Sequence, residues 1–261
     1  MNLYGTKSDL AKILKEHVEL KRNKNGTAVS AAFIKDGELI AAFTCGVQND
    51  NPDKPVSVND LFSVGSLAKV YYALAVMKLV EMGKVSLDAP VVDYLPRFIM
   101  KDERYKQITL RMCLNHSSGL PGTNLKYSGS MKWIDKNLYD DFYDYFAKSK
   151  LKDNPGNISV YCNDGYMLVE MIVTEVSGMS SIKFIQENIT TPAGALSTCI
   201  GGNIPKNLIC IKEKRKADDF IINTVVGGIL INLIDCAKIG YLFIDSKKIF
   251  KIESLSEIFK S

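Results

Sequence analysis

Apolar and polar positions follow two different spacings in the first part of the chain. Residues 8–22 carry apolar side chains at near-helical spacing, which predicts an amphipathic helix. Two β-rich runs follow, at residues 27–34 and 38–45, and they meet at Asp36-Gly37, a strong signal for a tight hairpin. The chain is therefore predicted to begin with a helix and a two-stranded antiparallel hairpin.

Beyond residue 60 the pattern is mostly helical, after a polar, proline-containing loop predicted over residues 50–58. An apolar run that ends near Met82 predicts the first of these helices, and residues 110–114 predict another with Thr109 as its cap. Further helices are predicted over residues 133–147, 164–177 and 224–245. The last of them is strongly apolar and begins next to paired glycines.

The composition is that of an ordinary globular protein. With 261 residues the chain can bury a large core, as one large domain or as two lobes. The net charge of +4 is mild, and the one basic cluster, residues 212–216, is balanced by neighbouring acidic residues, which predicts a solvated loop. Basic and aromatic residues do not interleave as they do along a nucleic-acid groove, so no nucleic-acid partner is expected.

Cysteine and histidine give no support to a disulfide framework or a metal centre. The six cysteines are scattered without a Cys-x-x-Cys pair, which is typical of free, mostly buried thiols in a reducing compartment. Because His17 and His116 are the only histidines, a histidine-rich zinc site is not expected. Separately, nothing in the sequence supports a cofactor, and none is expected. His116 lies in a loop among Ser and Asn, where a histidine usually serves local hydrogen bonds, so a structural role is preferred to a catalytic one.

The ends and runs of the chain give no sign of a membrane segment. No run approaches the ~18 apolar residues that a membrane helix needs, and the N-terminus has no apolar core of signal-peptide length. The chain is therefore expected to have no membrane span and to be cytoplasmic.

Candidate chemistry centres on residues 61–69. Ser66 and Lys69 are three residues apart where a loop becomes a helix, so their side chains are expected on one helical face. A lysine amine that burial and the positive end of a helix keep neutral can take the proton of a serine hydroxyl. The pair is therefore a candidate for nucleophilic acyl transfer.

The same Ser-x-x-Lys spacing occurs at two other places in the chain. Ser149 and Lys152 lie in a polar run typical of a solvated loop, and Lys183, which follows Ser180, lies on the exposed face of an amphipathic segment. Ser66 differs because a glycine precedes it and a long apolar helix follows it. The alternative for any such pair is a helix-capping serine followed by a solvated lysine.

Further landmarks follow this pair along the chain. They are the loop Leu114-Asn115-His116-Ser117-Ser118-Gly119-Leu120, the only Tyr-x-Asn at Tyr161-Cys162-Asn163, the turn Thr191-Pro192-Ala193-Gly194, and Val226-Gly227-Gly228-Ile229-Leu230 with Ile234-Asp235. In this order the landmarks resemble the motifs of the penicillin-binding protein and class C β-lactamase superfamily of serine hydrolases. The resemblance covers nearly the whole chain.

The resemblance implies a fold. It is an α/β (α+β) architecture in which an antiparallel sheet is flanked by helices and an all-helical lobe is inserted, with the catalytic serine at the start of a helix. On this basis residues 1–84 would hold the N-terminal helix, the hairpin and the nucleophile helix, residues 85–204 the mostly helical lobe, and residues 205–261 the return to the α/β lobe.

The resemblance also implies roles for four residues, none of which needs a metal or a cofactor. Ser66 would be the acylated nucleophile, and Lys69 would take its proton. Tyr161 would pass a proton to the leaving group, and Asn163 would hold the amide oxygen of the substrate, a small molecule or peptide with a lactam, peptide or ester bond. The alternative for Tyr161 is a buried aromatic ring whose hydroxyl has a structural partner.

One motif of the superfamily is not found. The third motif, Lys or His, then Thr or Ser, then Gly, should lie on a strand after Ile234-Asp235, and the candidate Lys238-Ile239-Gly240 is rejected because it falls inside the predicted last helix. That strand also donates one N–H of the oxyanion hole. The C-terminal strands are therefore expected to be missing, either because the product is truncated or because another chain supplies them.

Two hypotheses about function follow from the sequence. The first is a serine acyl-hydrolase, and the second is a catalytically impaired fragment or a non-catalytic binding module of the same fold. In either case a missing strand would leave an unpaired sheet edge, and such edges favour association. A homo-oligomer or a complementing C-terminal chain is then expected as the partner.

Overall fold

The computed structural model describes residues 3–4, 9, 12–13, 15–19, 28–48, 51–123, 136–200, 208–209, 228–245 and 249–260. The chain forms two compact units. The sheet unit comprises Met1–Val64, Thr190–Phe220 and Ile229–Ile249, and the helical unit comprises Gly65–Ile189, Ile221–Gly228 and Phe250–Ser261. The division predicted at residues 1–84, 85–204 and 205–261 stays a prediction.

The strands of the sheet unit form two sheets. The first contains β1 (Leu3–Tyr4), β2 (Ala28–Lys35), β3 (Glu38–Gln48) and β4 (Asn51–Pro55), and the second contains β5 (Leu61–Ser63), β6 (Cys199–Ile200), β7 (Leu208–Ile209) and β8 (Ile229–Ile231). In the first sheet β3 pairs with β1, β2 and β4, always antiparallel; in the second the order is β6-β8-β5-β7, and only the β5–β7 pair is parallel. The predicted α/β class with antiparallel pairing is confirmed.

The predicted hairpin is confirmed by β2 and β3. Asp36 and Gly37 join them with φ angles of 53° and 81°. Two positive φ values are what the tight turn of a right-twisted hairpin requires, which explains the Asp-Gly signal. The middle of β3 is the buried part of the first sheet, with Ala41 and Phe43 at 0% exposure. Strand β2 also packs against α7 (Leu233–Tyr241).

Two elements of the sheet unit differ from the sequence prediction. The helix predicted over residues 224–245 is wrong in its first part, because residues 229–231 form β8 and α7 begins only at Leu233, with Asn232 as its side-chain cap. A short apolar run fits a buried strand and a buried helix equally well, and here pairing with β5 and β6 decides. The loop predicted over residues 50–58 contains β4, whose backbone pairs with β3 despite its polar side chains.

The helical unit is built around two helices. Its helices are α1 (Ala68–Glu81), α2 (Val91–Tyr94), α3 (Leu110–Leu114), α4 (Lys136–Lys148), α5 (Asn163–Ser177), α6 (Ser181–Ile185) and α8 (Ile252–Ile258). Helix α5 packs against α1, α2, α3 and α6. Along α1, Leu74, Ala75 and Val76 are all fully buried, so this helix is the core of the unit. The predicted Thr109 cap of α3 is confirmed, since its side chain accepts from Met112 N.

Helix α5 approaches α3 closely at Gly165. A Cβ at this position would lie 3.3 Å from the Cys113 carbonyl oxygen, tighter than most real contacts. Glycine therefore allows the first turn of α5 to lie against the end of α3. This contact brings the loop after α3 next to the residues that precede α5.

The far end of α1 is tied to α8. The Glu81 carboxylate accepts hydrogen bonds from Lys251 N and from Ser254 Oγ, both at 2.6 Å. On α3, Arg111 forms ion pairs with Glu257 of α8 and with Asp88, again at 2.6 Å. The Glu81 contacts thus join α1 to α8 at the end of α1 away from Ser66, and Arg111 joins α3 to α8.

Several predicted features lie wholly or partly outside the described residues. Residues 15–19 are helical, in agreement with the predicted first helix, whose other described residues are 9, 12 and 13. The basic cluster at residues 212–216, residues 133–135 of the predicted fourth helix, and Val226-Gly227 of the glycine landmark lie outside. So does Cys210, while the five described cysteines are free thiols.

Candidate active site

The turn that carries Ser66 comes between β5 and α1. Gly65 has φ 53°, and Gly65–Leu67 form a single 3₁₀ turn that runs into α1. Leu67 is the N-cap residue of α1, and no side chain caps the helix. The Ser66 hydroxyl is therefore not used as a cap, and its side chain is exposed.

Two side chains contact the Ser66 hydroxyl. The Tyr161 hydroxyl lies 2.6 Å from Ser66 Oγ, and either oxygen can be the donor. Lys69 Nζ donates to the same oxygen over 3.4 Å, from one turn further along α1. The structure thus brings together three of the residues that the sequence assigned to the site.

Lys69 reaches Ser66 from a buried position. The residue is 5% exposed. Its Nζ lies over two aromatic rings, at 5.0 Å from the centroid of Tyr161 and 5.4 Å from that of Tyr166. Aromatic faces attract a cationic amine when water is excluded, so these rings help to hold the amine beside the serine.

Tyr161 is not the buried aromatic of the alternative interpretation. It is 51% exposed, and its hydroxyl partner is the Ser66 hydroxyl. Asn163 begins α5 and is only 6% exposed, and its Oδ1 has no hydrogen-bond partner among the described residues. The structure therefore buries the fourth predicted site residue without a bond from its Oδ1 to the other three.

Two further residues belong to this cluster. Tyr166 packs its ring against Lys69 and donates its hydroxyl to the Leu114 carbonyl oxygen at 3.0 Å; burial raises the pKa of this phenol. The His116 ring lies 4.7 Å from the Tyr161 ring and 5.2 Å from the Tyr166 ring, measured between centroids. Sequence reasoning missed Tyr166, and the only signal for it was an aromatic residue in the first turn of α5.

The described part of the chain holds no group of three or more His, Cys, Asp or Glu side chains that could bind a metal ion. Of the helices described, none combines the length and the apolar character that a membrane crossing needs. Burial raises the pKa of the nearby Cys162 thiol, whose Sγ donates to the Gly122 carbonyl oxygen at 3.2 Å. Cys162 is therefore a protonated, structural neighbour of the cluster.

Comparison with known proteins gives a consistent result. A family model described as "Beta-lactamase" matches residues 10–208. Penicillin-binding protein 4* of Bacillus subtilis (strain 168) is 31% identical over 187 residues, which are 68% of this chain and 38% of that protein. This chain therefore spans well under half the length of that relative.

Solved structures share the fold over almost the whole chain. The octameric penicillin-binding protein homologue from Pyrococcus abyssi is 25% identical, with a TM-score of 0.78 over 97% of this chain and 60% of its own. The D-amino acid amidase from Ochrobactrum anthropi SV3, solved with L-phenylalanine amide, is 22% identical, with a TM-score of 0.79 over 96% of this chain and 74% of its own. The described residues thus adopt the architecture of these proteins.

Proposed function

The chain belongs to the beta-lactamase family of serine hydrolases, and from this premise we propose that it is a serine acyl-hydrolase that forms an acyl-enzyme on Ser66. The observation that carries the proposal is the pair of contacts made by Ser66 Oγ, at 2.6 Å to the Tyr161 hydroxyl and at 3.4 Å to Lys69 Nζ. An exposed hydroxyl between a phenol and an amine is suited to proton transfer and attack on a carbonyl carbon.

The reaction proceeds in two halves. Ser66 Oγ bonds to the carbonyl carbon of a lactam, peptide or ester, and its proton passes to Lys69 Nζ. The tetrahedral intermediate then breaks the bond to the leaving group, which receives a proton from the Tyr161 hydroxyl. Water later attacks the carbonyl carbon of the acyl-enzyme and gives one proton to the Tyr161 oxygen. The bond to Ser66 Oγ then breaks, Oγ takes back its proton from Lys69 Nζ, and the acid is released.

The burial of Lys69 and Asn163 supports their roles. Lys69 is 5% exposed and its Nζ lies 3.4 Å from Ser66 Oγ, so the amine is placed to take the serine proton. A buried amide oxygen without a partner is costly, so the Asn163 side chain is suited to a ligand that supplies hydrogen bonds. Asn163 Oδ1 would then accept from a substrate N–H beside Ser66, while Nδ2 is the donor that could hold the substrate amide oxygen.

The substrate class is proposed by similarity. The similar proteins are a penicillin-binding protein and a D-amino acid amidase. Their names support lactams and small amides as the substrates of this chain. An ester places the same carbonyl carbon at Ser66 with a better leaving group. Esters are therefore the easiest substrates for detecting turnover.

Intact-mass analysis after incubation with a fluorophosphonate or a penicillin tests the proposal. One covalent adduct is expected on the unmodified chain and none on Ser66→Ala, while Ser180→Ala, which also removes a serine one turn before a lysine, should label normally. An adduct that persists in Ser66→Ala, or that maps to Ser149 or Ser180, would contradict the assignment. Reversible penicillin binding without an adduct would instead support the binding-module hypothesis.

A further inference from the structure

The loop after α3 meets the segment before α5 at His116. His116 Nδ1 accepts a hydrogen bond from Cys162 N at 3.1 Å, and the His116 carbonyl oxygen accepts one from Val160 N at 3.0 Å. Both donors are the immediate neighbours of Tyr161 in the chain. His116 therefore holds the backbone on either side of the residue that contacts Ser66.

The His116 side chain also touches Tyr161 directly. The centroid of its ring lies 4.7 Å from that of the Tyr161 ring, at an interplanar angle of 41°. The centroid of the Tyr166 ring lies 5.2 Å away. Tyr161 is itself half-exposed, and Lys69 Nζ lies 5.0 Å from the centroid of the same ring. The contact with His116 is thus one of the restraints on the direction of the phenol.

The backbone at His116 is itself unusual. Its φ is 65°, a left-handed value that costs energy for a residue with a Cβ and that Asn adopts more readily than most. In this conformation the carbonyl oxygen and the ring of His116 both face the segment Val160–Cys162. A residue without a side-chain acceptor could not accept the hydrogen bond from Cys162 N in this geometry.

We propose that His116 is the positioning residue for Tyr161, and that only its neutral ring holds the phenol at Ser66. The proposal uses the serine acyl-hydrolase function for its kinetic consequence, but the positioning itself does not depend on turnover. In the neutral ring, Nδ1 carries the lone pair that accepts from Cys162 N, and the proton lies on Nε2. Protonation of Nδ1 places two N–H donors against each other and removes the contact.

The surroundings of His116 favour the neutral ring. Burial and the nearby Lys69 amine lower the pKa of His116 below its ordinary value of 6.5. In the part of the chain that the structure describes, the titratable groups that act on the ring are the nearby Lys69 amine from α1 and the contacting Tyr161, from the segment before α5, and Tyr166, from α5. The contact is therefore complete above pH 6.5 and is lost as the pH falls through the lowered pKa.

Nuclear magnetic resonance tests the positioning without any turnover. Two-bond correlation spectra of ¹⁵N-labelled protein report the tautomer of each imidazole, and His17→Gln identifies the signals of His116, because these are the only two histidines. His116 should be the Nε2–H tautomer, titrate below pH 6.5, and shift the Cys162 amide signal in the same pH range. An Nδ1–H tautomer, or a Cys162 amide that ignores the titration, would overturn the proposal even if the protein proved inactive.

Two substitutions separate the acceptor from the ring. His116→Asn places an amide oxygen near the position of Nδ1, tolerates the positive φ and cannot titrate, whereas His116→Phe keeps a ring but has no acceptor. For ester hydrolysis, kcat of His116→Phe should fall by about tenfold, the worth of one hydrogen bond, with KM little changed. The unmodified enzyme is expected to lose kcat/KM as the pH falls below 6.5, whereas His116→Asn should retain most of kcat and show no such decrease.

A double-mutant cycle identifies the route of the effect. In a Tyr161→Phe background, His116→Phe should cause little further loss, because both changes act through the same hydroxyl. A purely structural histidine would lower kcat by the same factor in both backgrounds. Losses that multiply, or a His116→Asn enzyme that is as slow as His116→Phe and keeps the acid decrease, would contradict the positioning role.

Discussion

Of the three serine–lysine pairs of identical spacing in the helical unit, two lie at the start of a helix. At α6 the Ser180 hydroxyl accepts a hydrogen bond from Lys183 N at 3.3 Å, and the Lys183 side chain is 62% exposed and 3.7 Å from Glu187. At α1 the Ser66 hydroxyl caps nothing, and Lys69 is 5% exposed. The Ser180/Lys183 pair is therefore a helix cap with a solvated lysine. In the Ser66/Lys69 pair the two side chains contact each other.

The difference arises from the residues around each pair. Ser180 precedes α6 with an extended backbone, so its Oγ reaches the first turn. Ser66 is the middle residue of the 3₁₀ turn Gly65–Leu67, so its backbone is already helical. Its Oγ contacts the Tyr161 hydroxyl instead of the backbone of α1. The third pair shows another outcome, since Ser149 Oγ donates to the Tyr145 carbonyl oxygen and Lys152 is exposed. Spacing alone therefore does not make a site.

The largest difference between the pairs is expected at the lysines. Lys69→Ala should lower kcat/KM for an ester by about a hundredfold or more, because it removes the proposed proton acceptor. Lys183→Ala should leave kcat/KM unchanged, because the Lys183 side chain is 62% exposed and pairs with Glu187 at the surface. Steady-state kinetics of the two purified variants checks both statements.

The same experiment separates two types of chemistry. His116→Ala should cost less activity than Lys69→Ala, since His116 acts only through Tyr161. If hydrolysis survived Lys69→Ala and vanished in a folded His116→Ala protein, the mechanism would be of the serine–histidine type instead.

Tyr161 should give the next largest effect. Tyr161→Phe removes the hydroxyl that lies 2.6 Å from Ser66 Oγ but keeps the ring that packs on Lys69 and His116. Loss of proton transfer to the leaving group should lower kcat on the order of tenfold to a hundredfold, and least for esters with good leaving groups, which need little protonation.

The matched control is Tyr94→Phe. Tyr94 also uses its hydroxyl, as an acceptor from Ser86 N at 2.7 Å, but this bond stabilises a turn of the helical unit. Tyr94→Phe should therefore leave kcat unchanged. Equal losses in the two variants, or a Tyr161→Phe loss that is independent of the leaving group, would argue against a proton-transfer role for Tyr161.

Local signals in the sequence predicted the local structure well. The Asp36-Gly37 turn and the Thr109 cap were found because their conformations depend on a few neighbouring residues. Strand β8 was missed because its three apolar residues are strand only through pairing with β5 and β6. The helix α7 that follows was predicted correctly. It contains Lys238-Ile239-Gly240, which agrees with rejecting these residues as the third motif because they lie in a helix.

The site divides in the same way. The Ser66–Lys69 pair was visible as a helical spacing, but the approach of Tyr161 spans 95 residues of sequence and was available only from the order of the family's motifs. The local role preferred for His116 agrees with its hydrogen bonds, yet their purpose depends on Cys162, which lies 46 residues away. Residue patterns thus identify candidate groups, and packing decides which of them meet.

The smallest expected effect is on stability, where the loss of Ser180 should matter more than the loss of Ser66. Ser180→Ala removes a helix cap and should lower the free energy of unfolding by about 1 kcal/mol, which for a protein of this size is a fall of about 2–4 °C in Tm. Ser66→Ala should leave Tm unchanged or slightly raised, because Ser66 Oγ satisfies no backbone group of α1 and alanine is the better helix former. Differential scanning calorimetry of both variants, with Ser180→Thr as the variant that keeps a capping oxygen, measures the contrast. A destabilised Ser66→Ala beside an unaffected Ser180→Ala would mean that Ser66 is the structural serine, and that its freedom for chemistry had been wrongly inferred.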